Sequence, residues 1–286
     1  MSVLFSVKDL VFRYPKNEVD TLKSVSFDVE EGSIFGLLGP SGAGKSTTQK
    51  ILIKLLGDYR GEILYRGRDL RSYDKSYYED IGVGFETPVL FNKLTARENM
   101  KYFASLYKKN IDCVALMKRL NLGDAIDTEV GKYSKGMKVR LNFVRALLND
   151  PSVLFLDEPT AGLDPANARI IKDIIFEFKK QGRSIFISTH LMSDVEQLCD
   201  EVIFMTDGTV GKKASPRDLK IKHGKRLVAV EYYLNSKLKR EEFPLDGLGK
   251  NHAFLDLIEK REIETIHSGE TTMEEIFIKI TGGKDE

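Results

Sequence analysis

The sequence predicts an α/β fold built around a mostly parallel sheet, because short apolar runs alternate with segments of helical spacing. The run Ser33–Leu38 (SIFGLL) ends in a Gly-rich loop, and Lys45–Leu56 then places its apolar residues on one side of a helix. Further along, the apolar runs Ser152–Leu156 and Ser184–Ser188 are separated by the helical segment Asn167–Lys180. Strands that alternate with helices of this length are typical of parallel sheets covered by helices.

Two further regions belong to the same predicted domain, residues 1–219. At the N-terminus, Val3–Phe12 and Thr21–Val29 show the apolar alternation of half-buried strands and are joined by a turn at Pro15–Asn17, which predicts an antiparallel β-subdomain. Between about residues 88 and 150 the periodicity becomes helical, which predicts a helical subdomain with the helices Ala96–Tyr107, Asp112–Leu120 and Lys135–Leu148.

The pattern changes after Gly208–Pro216, where a basic stretch precedes a new series of elements. We expect residues 220–286 to form a small C-terminal α+β accessory domain. Thr271 and Glu274 fit a capping box at the start of its last helix. The predicted elements of this domain are a strand at Leu227–Leu234, a helix at Ala253–Lys260, a strand at Glu262–His267 and a helix at Thr271–Thr281.

Composition narrows the possible environments and partners. Lys and Arg together number 44 and Asp and Glu 43, so the overall charge favours neither nucleic acid nor an acidic membrane surface. Cys113 and Cys199 are far apart and lack neighbouring metal ligands, which indicates two reduced thiols. Residues 1–10 do not resemble a signal peptide, and no apolar stretch approaches the roughly 18 residues of a membrane span. We therefore expect a cytoplasmic protein that reaches a membrane only through a partner.

The loop between the first core strand and the first core helix fits a phosphate-binding motif. Gly39–Ser46 reads GPSGAGKS, which matches G-x-x-x-x-G-K-[ST] in full. Its glycines let successive backbone N–H groups face phosphate oxygens, and the helix that follows adds its positive N-terminal end. Lys45 can reach the β- and γ-phosphates, while the Ser46 hydroxyl can bind Mg²⁺. The strand, loop and helix together predict a P-loop NTPase core that binds a nucleotide.

Two acidic residues and a histidine follow later core strands. The segment Val153–Pro159 (VLFLDEP) ends a strand with Asp157, which can hold Mg²⁺, and Glu158, which can activate an attacking water. The alternative is that Asp157 and Glu158 belong to a solvated loop without a function. This interpretation is disfavoured because Ala161–Asp164 (AGLD) follows and because His190 ends the next strand. Ligands bind at this carboxyl edge of parallel sheets.

These residues, in this order and spacing, resemble the ATP-binding-cassette (ABC) family across about residues 1–215. Guanylate kinases are disfavoured because 38 residues precede the loop here, and GTPases because no Asn-Lys-x-Asp motif follows it. The resemblance implies that Tyr14 stacks on adenine, that His190 contacts the γ-phosphate, and that Ala161–Asp164 touches a second cassette. It also identifies Tyr133–Met137 (YSKGM) as the family signature, in which Ser134 and Gly136 grip the ATP held by the other subunit of a head-to-tail dimer.

The sequence departs from the family pattern at two places. Tyr133, Lys135 and Met137 replace the usual signature residues. The resulting signature resembles those of bacterial exporter ATPases of the ABC-2 type, and so does the C-terminal ending. Glu86 stands where the family usually has Gln, a residue that touches Mg²⁺ or the attacking water and links the ATP state to the membrane partner. A glutamate can still serve as a ligand, but it adds negative charge near the phosphates; the alternative is that it points to solvent.

The motifs and the resemblance together assign roles to individual residues. Catalytic roles are expected of Lys45, Glu158 and His190, and Mg²⁺ ligation of Ser46, Glu86 and Asp157. The residues expected to contact ATP are Tyr14, Gly39, Pro40, Ser41, Gly42, Ala43, Gly44, Lys45, Ser46, Thr47, Glu86, Ser134, Gly136 and Asp164.

The predicted function is that of an ATP-binding and ATP-hydrolysing subunit of an ABC transporter, an exporter, which powers a separate membrane permease. ATP is expected to bring two copies together, or this chain and a related one. The alternative is an ABC ATPase that acts on nucleic acid or ribosomes. DNA-repair members of the family carry a long coiled coil between the phosphate loop and the signature, and the region between Ser46 and Tyr133 has no room for one. Members that act in translation carry two cassettes in one chain, and only one is present here. A regulator without hydrolysis is disfavoured by the intact Lys45, Asp157, Glu158 and His190.

Overall fold

The computed structural model of the protein describes residues 2–109, 111–224, 226–269 and 271–282. The chain divides into two compact units, Met1–Pro216 and Arg217–Glu286. This division lies close to the domain boundary expected after residue 219. Within the described ranges, no helix has the length and apolar character needed to cross a membrane.

The elements of the first unit alternate between strands and helices along most of its length. Its strands are β1 (Val3–Phe12), β2 (Leu22–Glu30), β3 (Ile34–Leu38), β4 (Arg60–Tyr65), β5 (Arg68–Asp69), β6 (Ile81–Gly84), β7 (Val153–Asp157), β8 (Ser184–Ser188), β9 (Glu201–Thr206) and β10 (Thr209–Val210). Its helices are α1 (Lys45–Leu52), α2 (Tyr77–Asp80), α3 (Ala96–Ala104), α4 (Cys113–Arg119), α5 (Lys135–Ala146), α6 (Pro165–Lys180) and α7 (Met192–Leu198); α8 (Pro216–His223) begins at the division between the units.

Among the described residues, the strands of the first unit form two sheets. The N-terminal sheet is antiparallel, with the order β2-β1-β4-β5. The other has the order β10-β9-β3-β8-β7-β6, and only β10 runs antiparallel to its neighbour. The predicted α/β fold, with a mixed, mostly parallel sheet and an N-terminal antiparallel subdomain, is confirmed. The carboxyl ends of β3, β7 and β8 lie side by side at one edge of this sheet, as the motif positions require.

The two sheets pack against each other through aromatic side chains. Phe5 of β1 lies edge-on to Phe155 of β7 at 5.9 Å between ring centroids, and Phe27 of β2 stacks on Phe35 of β3 at 5.5 Å. Phe186 of β8 contacts both Phe35 and Phe155. All five rings are buried. Burial of apolar area of this kind dominates folding stability, so these contacts fix the strand ends that carry the site.

Several predicted helices are shorter in the structure. The helix predicted over Lys45–Leu56 ends at Leu52, because the chain turns at Lys54, whose φ is +58°. The helix predicted over Asp112–Leu120 spans Cys113–Arg119, since Asp112 is its N-cap and accepts hydrogen bonds from Val114 and Ala115. Such a cap satisfies backbone donors that have no partner inside the helix. The helices predicted to extend to Tyr107 and Leu148 also end earlier, α3 at Ala104 and α5 at Ala146.

The second unit contains β11 (Leu227–Leu234), β12 (Lys237–Pro244), α9 (His252–Lys260), β13 (Glu262–Gly269) and α10 (Met273–Thr281). The strands form an antiparallel sheet of order β12-β11-β13, and Val230 of β11 packs in one cluster with Phe243 and Leu257. The predicted capping box was wrong by one residue: Thr272 and Glu275 form it, because α10 begins at Met273 rather than at Thr271.

Candidate nucleotide-binding site

The loop between β3 and α1 has a backbone that only glycine accommodates at two points. Gly39 has a φ of +154°, and a Cβ there would lie 2.1 Å from the carbonyl oxygen of Met205. Gly44 has a φ of +110°, and a Cβ there would meet the side chain of Leu22 at 2.7 Å. Positive φ angles and close approaches of this kind exclude other residues. The loop is therefore pressed against its surroundings on one side and open on the other.

Lys45 lies within this loop. Its ammonium group donates hydrogen bonds to the carbonyl oxygens of Gly39 at 2.6 Å and Pro40 at 2.9 Å. Burial lowers the pKa of Lys45, while Glu158, Asp157 and then Glu86 act in the opposite direction through their negative charge. A cation bound only to carbonyl oxygens can exchange these partners for stronger, negatively charged acceptors.

A cavity of about 660 Å³ opens above the loop. Most of the predicted site residues line it together. Gly39, Pro40 and Ala43 belong to the loop without lining the cavity, whereas Asn17 and Thr21 line it although the sequence analysis did not single them out. The lining residues are Tyr14, Asn17, Thr21, Ser41, Gly42, Gly44, Lys45, Ser46, Thr47, Glu86, Asp157, Glu158 and His190.

Tyr14 forms one end of this cavity. Its ring packs edge-on against Phe12 at 4.9 Å, and its hydroxyl lies 3.2 Å from the hydroxyl of Thr47. These contacts hold the ring over the start of α1 with part of its surface exposed. Asn17 and Thr21 follow in the loop to β2, which explains why they share the cavity; their proximity to Tyr14 in sequence was the available signal.

Three carboxylates face the cavity opposite Lys45. Asp157 accepts a hydrogen bond of 2.5 Å from the Ser188 hydroxyl, and burial raises the pKa of Asp157, with further increases from the charges of Glu86 and Glu158. Glu86 follows β6 and has an exposed side chain, yet it lines the cavity. Mutual repulsion of carboxylates together with desolvation favours a bound cation.

Glu158 and His190 contact each other directly. The Glu158 side chain is 9 % exposed, and the 66 % exposed ring of His190 places its Nδ1 2.6 Å from a Glu158 carboxylate oxygen. The backbone N–H of His190 donates to the same oxygen at 3.0 Å, and the Thr189 hydroxyl donates to the other at 3.0 Å. Because an ionised carboxylate only accepts hydrogen bonds, Nδ1 carries a proton in this arrangement.

Three more predicted ATP contacts belong neither to this cavity nor to the Gly-rich loop. Ser134 caps α5 by accepting from the Met137 N–H at 3.2 Å, and Asp164 caps α6 by accepting from the Asn167 N–H at 2.9 Å. Gly136 lies beside the Asp164 loop, since a Cβ on it would be 3.4 Å from the side chain of Leu163. The two helix N-termini thus lie near each other and outside the residues that line the cavity.

The chain is similar in sequence to several known proteins. A family model described as ABC transporter matches residues 22–161. The fluoroquinolones export ATP-binding protein of Mycobacterium tuberculosis is 48 % identical over 278 residues, which cover 96 % of this chain and 92 % of that protein. The chain belongs to the ATP-binding proteins of the ABC transporter family. NatA of Bacillus subtilis, an ABC transporter ATP-binding protein, is 34 % identical over 80 % of this chain and 95 % of its own length.

Solved structures agree with this membership. The ATP-binding subunit of an ABC transporter superposes with a TM-score of 0.70 at 32 % identity, over 77 % of this chain and 93 % of that one. An ATP-binding cassette dimer in a post-hydrolysis state, bound to ADP and phosphate, shares the fold with a TM-score of 0.67 at 24 % identity, over 74 % and 98 %. A second family model, described as a fluoroquinolone efflux ABC transporter C-terminal domain, matches residues 226–270.

The predicted ABC family, the binding of ATP and the ATPase activity of a transporter subunit are thereby confirmed. The roles assigned to individual residues stay predictions. Among the relatives, the lantibiotic transport ATP-binding protein SrtF of Streptococcus pyogenes, 35 % identical over 72 % of this chain and 89 % of its own, is also named for transport. These names favour a transporter subunit over an ABC ATPase that acts on nucleic acid or ribosomes.

Proposed function

We propose that this chain hydrolyses ATP in the cavity above its Gly-rich loop and thereby powers an exporter. The observation that supports this most directly is the convergence of Lys45, Glu158 and His190 on that one cavity. Lys45 and the loop N–H groups hold the β- and γ-phosphates, and Tyr14 stacks on the adenine. Glu158 accepts the proton of the attacking water, and His190 contacts the γ-phosphate.

The hydrogen bonds around Glu158 suit the role of a base. Its two oxygens receive donors from Thr189 and His190, which hold the carboxylate in one orientation. The oxygen that accepts from Thr189 has a further lone pair that can accept from water, whereas the other oxygen already accepts from both His190 donors. The imidazole can leave the carboxylate and turn to a phosphate oxygen, because the ring is mostly exposed.

The cavity residues fit Mg²⁺ bound together with ATP. Ser46, Asp157 and Glu86 offer oxygen atoms, the ligands that Mg²⁺ prefers. In the part of the chain that the structure describes, no group of three or more His, Cys, Asp or Glu side chains forms a metal site by itself. Phosphate oxygens would therefore complete the coordination, and the ion would favour the charged form of Asp157, whose pKa is raised by burial and then by the charges of Glu86 and Glu158.

We further propose that two cassettes enclose each ATP, as a homodimer or with a related chain. Ser134, Gly136 and Asp164 lie apart from the cavity of their own chain, which supports a role toward the nucleotide of the other subunit. The N-terminus of α5 offers backbone donors and Lys135 offers a positive charge to an anion there.

The partner we propose is a separate membrane permease, which would hold this chain at the cytoplasmic face of the membrane. A groove of about 240 Å³ near Glu86 is lined mostly by apolar residues, among them Leu55, Phe85 and Phe103. It also contains Arg145, whose guanidinium donates to the carbonyl oxygens of Val89 at 2.9 Å and Val83 at 3.4 Å and has no carboxylate partner among the described residues. The occupant we expect is an apolar helix of the permease that brings a carboxylate to Arg145.

The cargo we propose is a fluoroquinolone or a drug of similar chemistry. The support is the 48 % identity to the fluoroquinolones export protein and the match of residues 226–270 to the C-terminal domain of such exporters. Expression of the chain with its permease should lower drug accumulation, whereas unchanged accumulation would contradict this choice of cargo.

We also propose an ATP-binding domain over residues 1–219 and an accessory domain over 220–286.

Replacing Glu158 by Gln tests the catalytic assignment. The amide keeps an acceptor for the His190 N–H and presents its NH₂ group to the Thr189 hydroxyl, so folding and ATP affinity should be retained. Loss of a general base costs about 10²- to 10⁴-fold in rate. We expect kcat to fall by that factor and an ATP-bound dimer to accumulate in size-exclusion chromatography.

Glu177 provides a matched control. It is a half-exposed glutamate on α6 that pairs with Arg119, and Glu177→Gln should leave kcat unchanged. Turnover of the Glu158→Gln variant close to that of the natural protein would refute the assignment.

Co-purification from gently extracted membranes tests the partner. Leu55→Glu should lose the permease and keep ATP binding. Retention of the permease by this variant would refute the role of the groove as its binding site.

A further inference from the structure

A buried ion pair lies outside the nucleotide cavity, beside the segments that carry the proposed catalytic residues. Asp194 on α7 and Lys172 on α6 are 2.6 Å apart, and their side chains are only 5 % and 12 % exposed. Lys172 also donates to the side-chain oxygen of Gln197 at 2.9 Å. Charges are rarely buried without paired and hydrogen-bonded partners, and such a pair is weak evidence for stability by itself. Stability alone therefore does not explain why this ion pair lies beside the Glu158 and His190 segments.

The two oxygens of Asp194 join different parts of the chain. One oxygen receives Lys172 of α6, and the other accepts the hydroxyl of Thr160, a buried residue two positions after Glu158. Asp194 lies in the first turn of α7, four residues after His190. The segment that follows Glu158 and the helix that follows His190 are thus held together at a second point, beyond the direct contact of Glu158 with His190.

We propose that Asp194 is a positioning residue for hydrolysis, which sets the distance between the Glu158 segment and the His190 segment through Thr160. The inference rests on the proposed roles of Glu158 and His190. The Thr160 backbone also accepts from the Leu163 N–H at 3.1 Å, so the turn that leads to Asp164 starts at the tied residue. A shift of this turn, where a second cassette is expected to touch, passes through Asp194 to α7 and His190.

The chemistry of the contact makes it directional and rigid. A buried carboxylate with one ammonium and one hydroxyl donor has few alternative arrangements, because loss of the ammonium leaves an uncompensated charge and loss of the hydroxyl leaves one carboxylate oxygen without its donor. The Asp164 side chain fixes the other end of the same turn by capping α6, which also carries Lys172. The turn is therefore held by His190 at its Glu158 end, by α7 at Thr160 and by α6 at its Asp164 end.

Thr160→Val tests the proposal, because it removes the hydroxyl and keeps the shape of the side chain and the ion pair. Thr160 does not line the nucleotide cavity. We expect at least a tenfold fall in kcat, an ATP Kd within twofold of the natural protein, and recovery of kcat to within threefold in Thr160→Ser, which restores the hydroxyl.

Lys179 offers a matched control on the same helix. It pairs with Asp200 at 2.5 Å, away from the Glu158–Asp164 turn, so Lys179→Met should lower Tm without lowering kcat. If Thr160→Val does not fold, the paired change Lys172→Met with Asp194→Leu replaces the ion pair by apolar groups, which buried pairs often tolerate, and the same fall in kcat is expected.

Two results would overturn the proposal. The first is a kcat within twofold of the natural protein in the folded Thr160 or paired variant. The second is a loss of ATP affinity as large as the loss of kcat, which would make Thr160 part of nucleotide binding. Glu158→Gln, measured in parallel, separates the two hypotheses: if that variant retains turnover, the proposed catalytic role fails, and if it alone loses turnover, only the positioning role fails.

Discussion

Gly39→Ala is the perturbation that the structure constrains most closely. Gly39 follows β3, and its φ is +154°. A Cβ at this position would lie 2.1 Å from the carbonyl oxygen of Met205 on β9, the strand that pairs with β3. An ordinary contact between carbon and oxygen is about 3.3 Å or longer. The two backbones would have to separate by more than an ångström just beyond the last paired residues of β3 and β9, Leu38 and Phe204.

The cost follows from two contributions. Overpacking of this kind costs about 1–3 kcal/mol, and an alanine in a left-handed backbone region costs about 1 kcal/mol more. For a domain of this size, 1 kcal/mol corresponds to about 2–4 °C in Tm, so Tm should fall by roughly 4–16 °C. Because the Gly39 carbonyl holds the Lys45 ammonium at 2.6 Å, displacement of Gly39 also moves the cation that binds phosphate. We expect ATP to bind at least about tenfold more weakly, which is about 1.4 kcal/mol.

Thermal unfolding with and without ATP, together with an ATP titration, measures both effects. Gly67→Ala is the matched control: Gly67 has a φ of +78°, but no atom lies within 4 Å of the added Cβ. That variant should lose only the few degrees due to backbone strain and keep its ATP affinity. If Gly39→Ala unfolds within 1 °C of the control and binds ATP normally, the packing of the loop against β9 is not what shapes the phosphate site.

Three further predictions concern the cavity. Glu86→Gln removes one of the carboxylates that face Lys45 and Asp157, so ATP binding measured in EDTA should tighten severalfold; weaker binding would contradict the repulsion. Asp157→Asn should raise Tm without Mg²⁺ at neutral pH, because the raised pKa of Asp157 means that its charged form disfavours folding. The gain in Tm should vanish below the ordinary pKa of 3.8, where Asp157 is protonated in both the folded and the unfolded state. A gain that persists at such a pH would refute this cause. Tyr14→Ala should weaken nucleotide binding by about 1–3 kcal/mol, as loss of base stacking does, whereas Tyr14→Phe, which loses only the contact with Thr47, should bind almost normally.

The sequence singled out residues that the structure brings together where the motif requires particular residue types. The glycines and Lys45 of the phosphate loop, and the acidic residues at the end of β7, follow from what phosphate and metal binding demand, and the cavity brings them together. The strand β6 (Ile81–Gly84) was not apparent from the sequence, because Gly82 and Gly84 are unfavourable in a strand. The structure explains Gly82: a Cβ there would lie 2.0 Å from the carbonyl oxygen of Ala146 on α5.

Contacts that depend on tertiary packing were also beyond the sequence. The exposed strand β12 carries five charged residues in eight positions, which hides its alternation. Asp194 and Lys172 lie on separate helices and meet only because α6 and α7 pack together, so neither resembles a functional residue in the sequence. Periodicity reports which face of an element is buried, but it does not report which buried polar groups meet.

The two departures from the family pattern can be understood together through the charge of the cavity. Glu86, Asp157 and Glu158 bring three negative charges to the site, and Lys45 brings one positive charge to balance them. Triphosphate binding against this excess requires cations from outside the chain's own cavity. Mg²⁺ would supply one part. In the proposed dimer, Lys135 of the second cassette would supply another, because it begins α5, whose N-terminus we propose to lie toward the nucleotide of the other subunit. We therefore expect the carboxylate of Glu86 to make tight ATP binding depend more strongly on metal and on dimer formation, the two conditions under which hydrolysis is useful to an exporter.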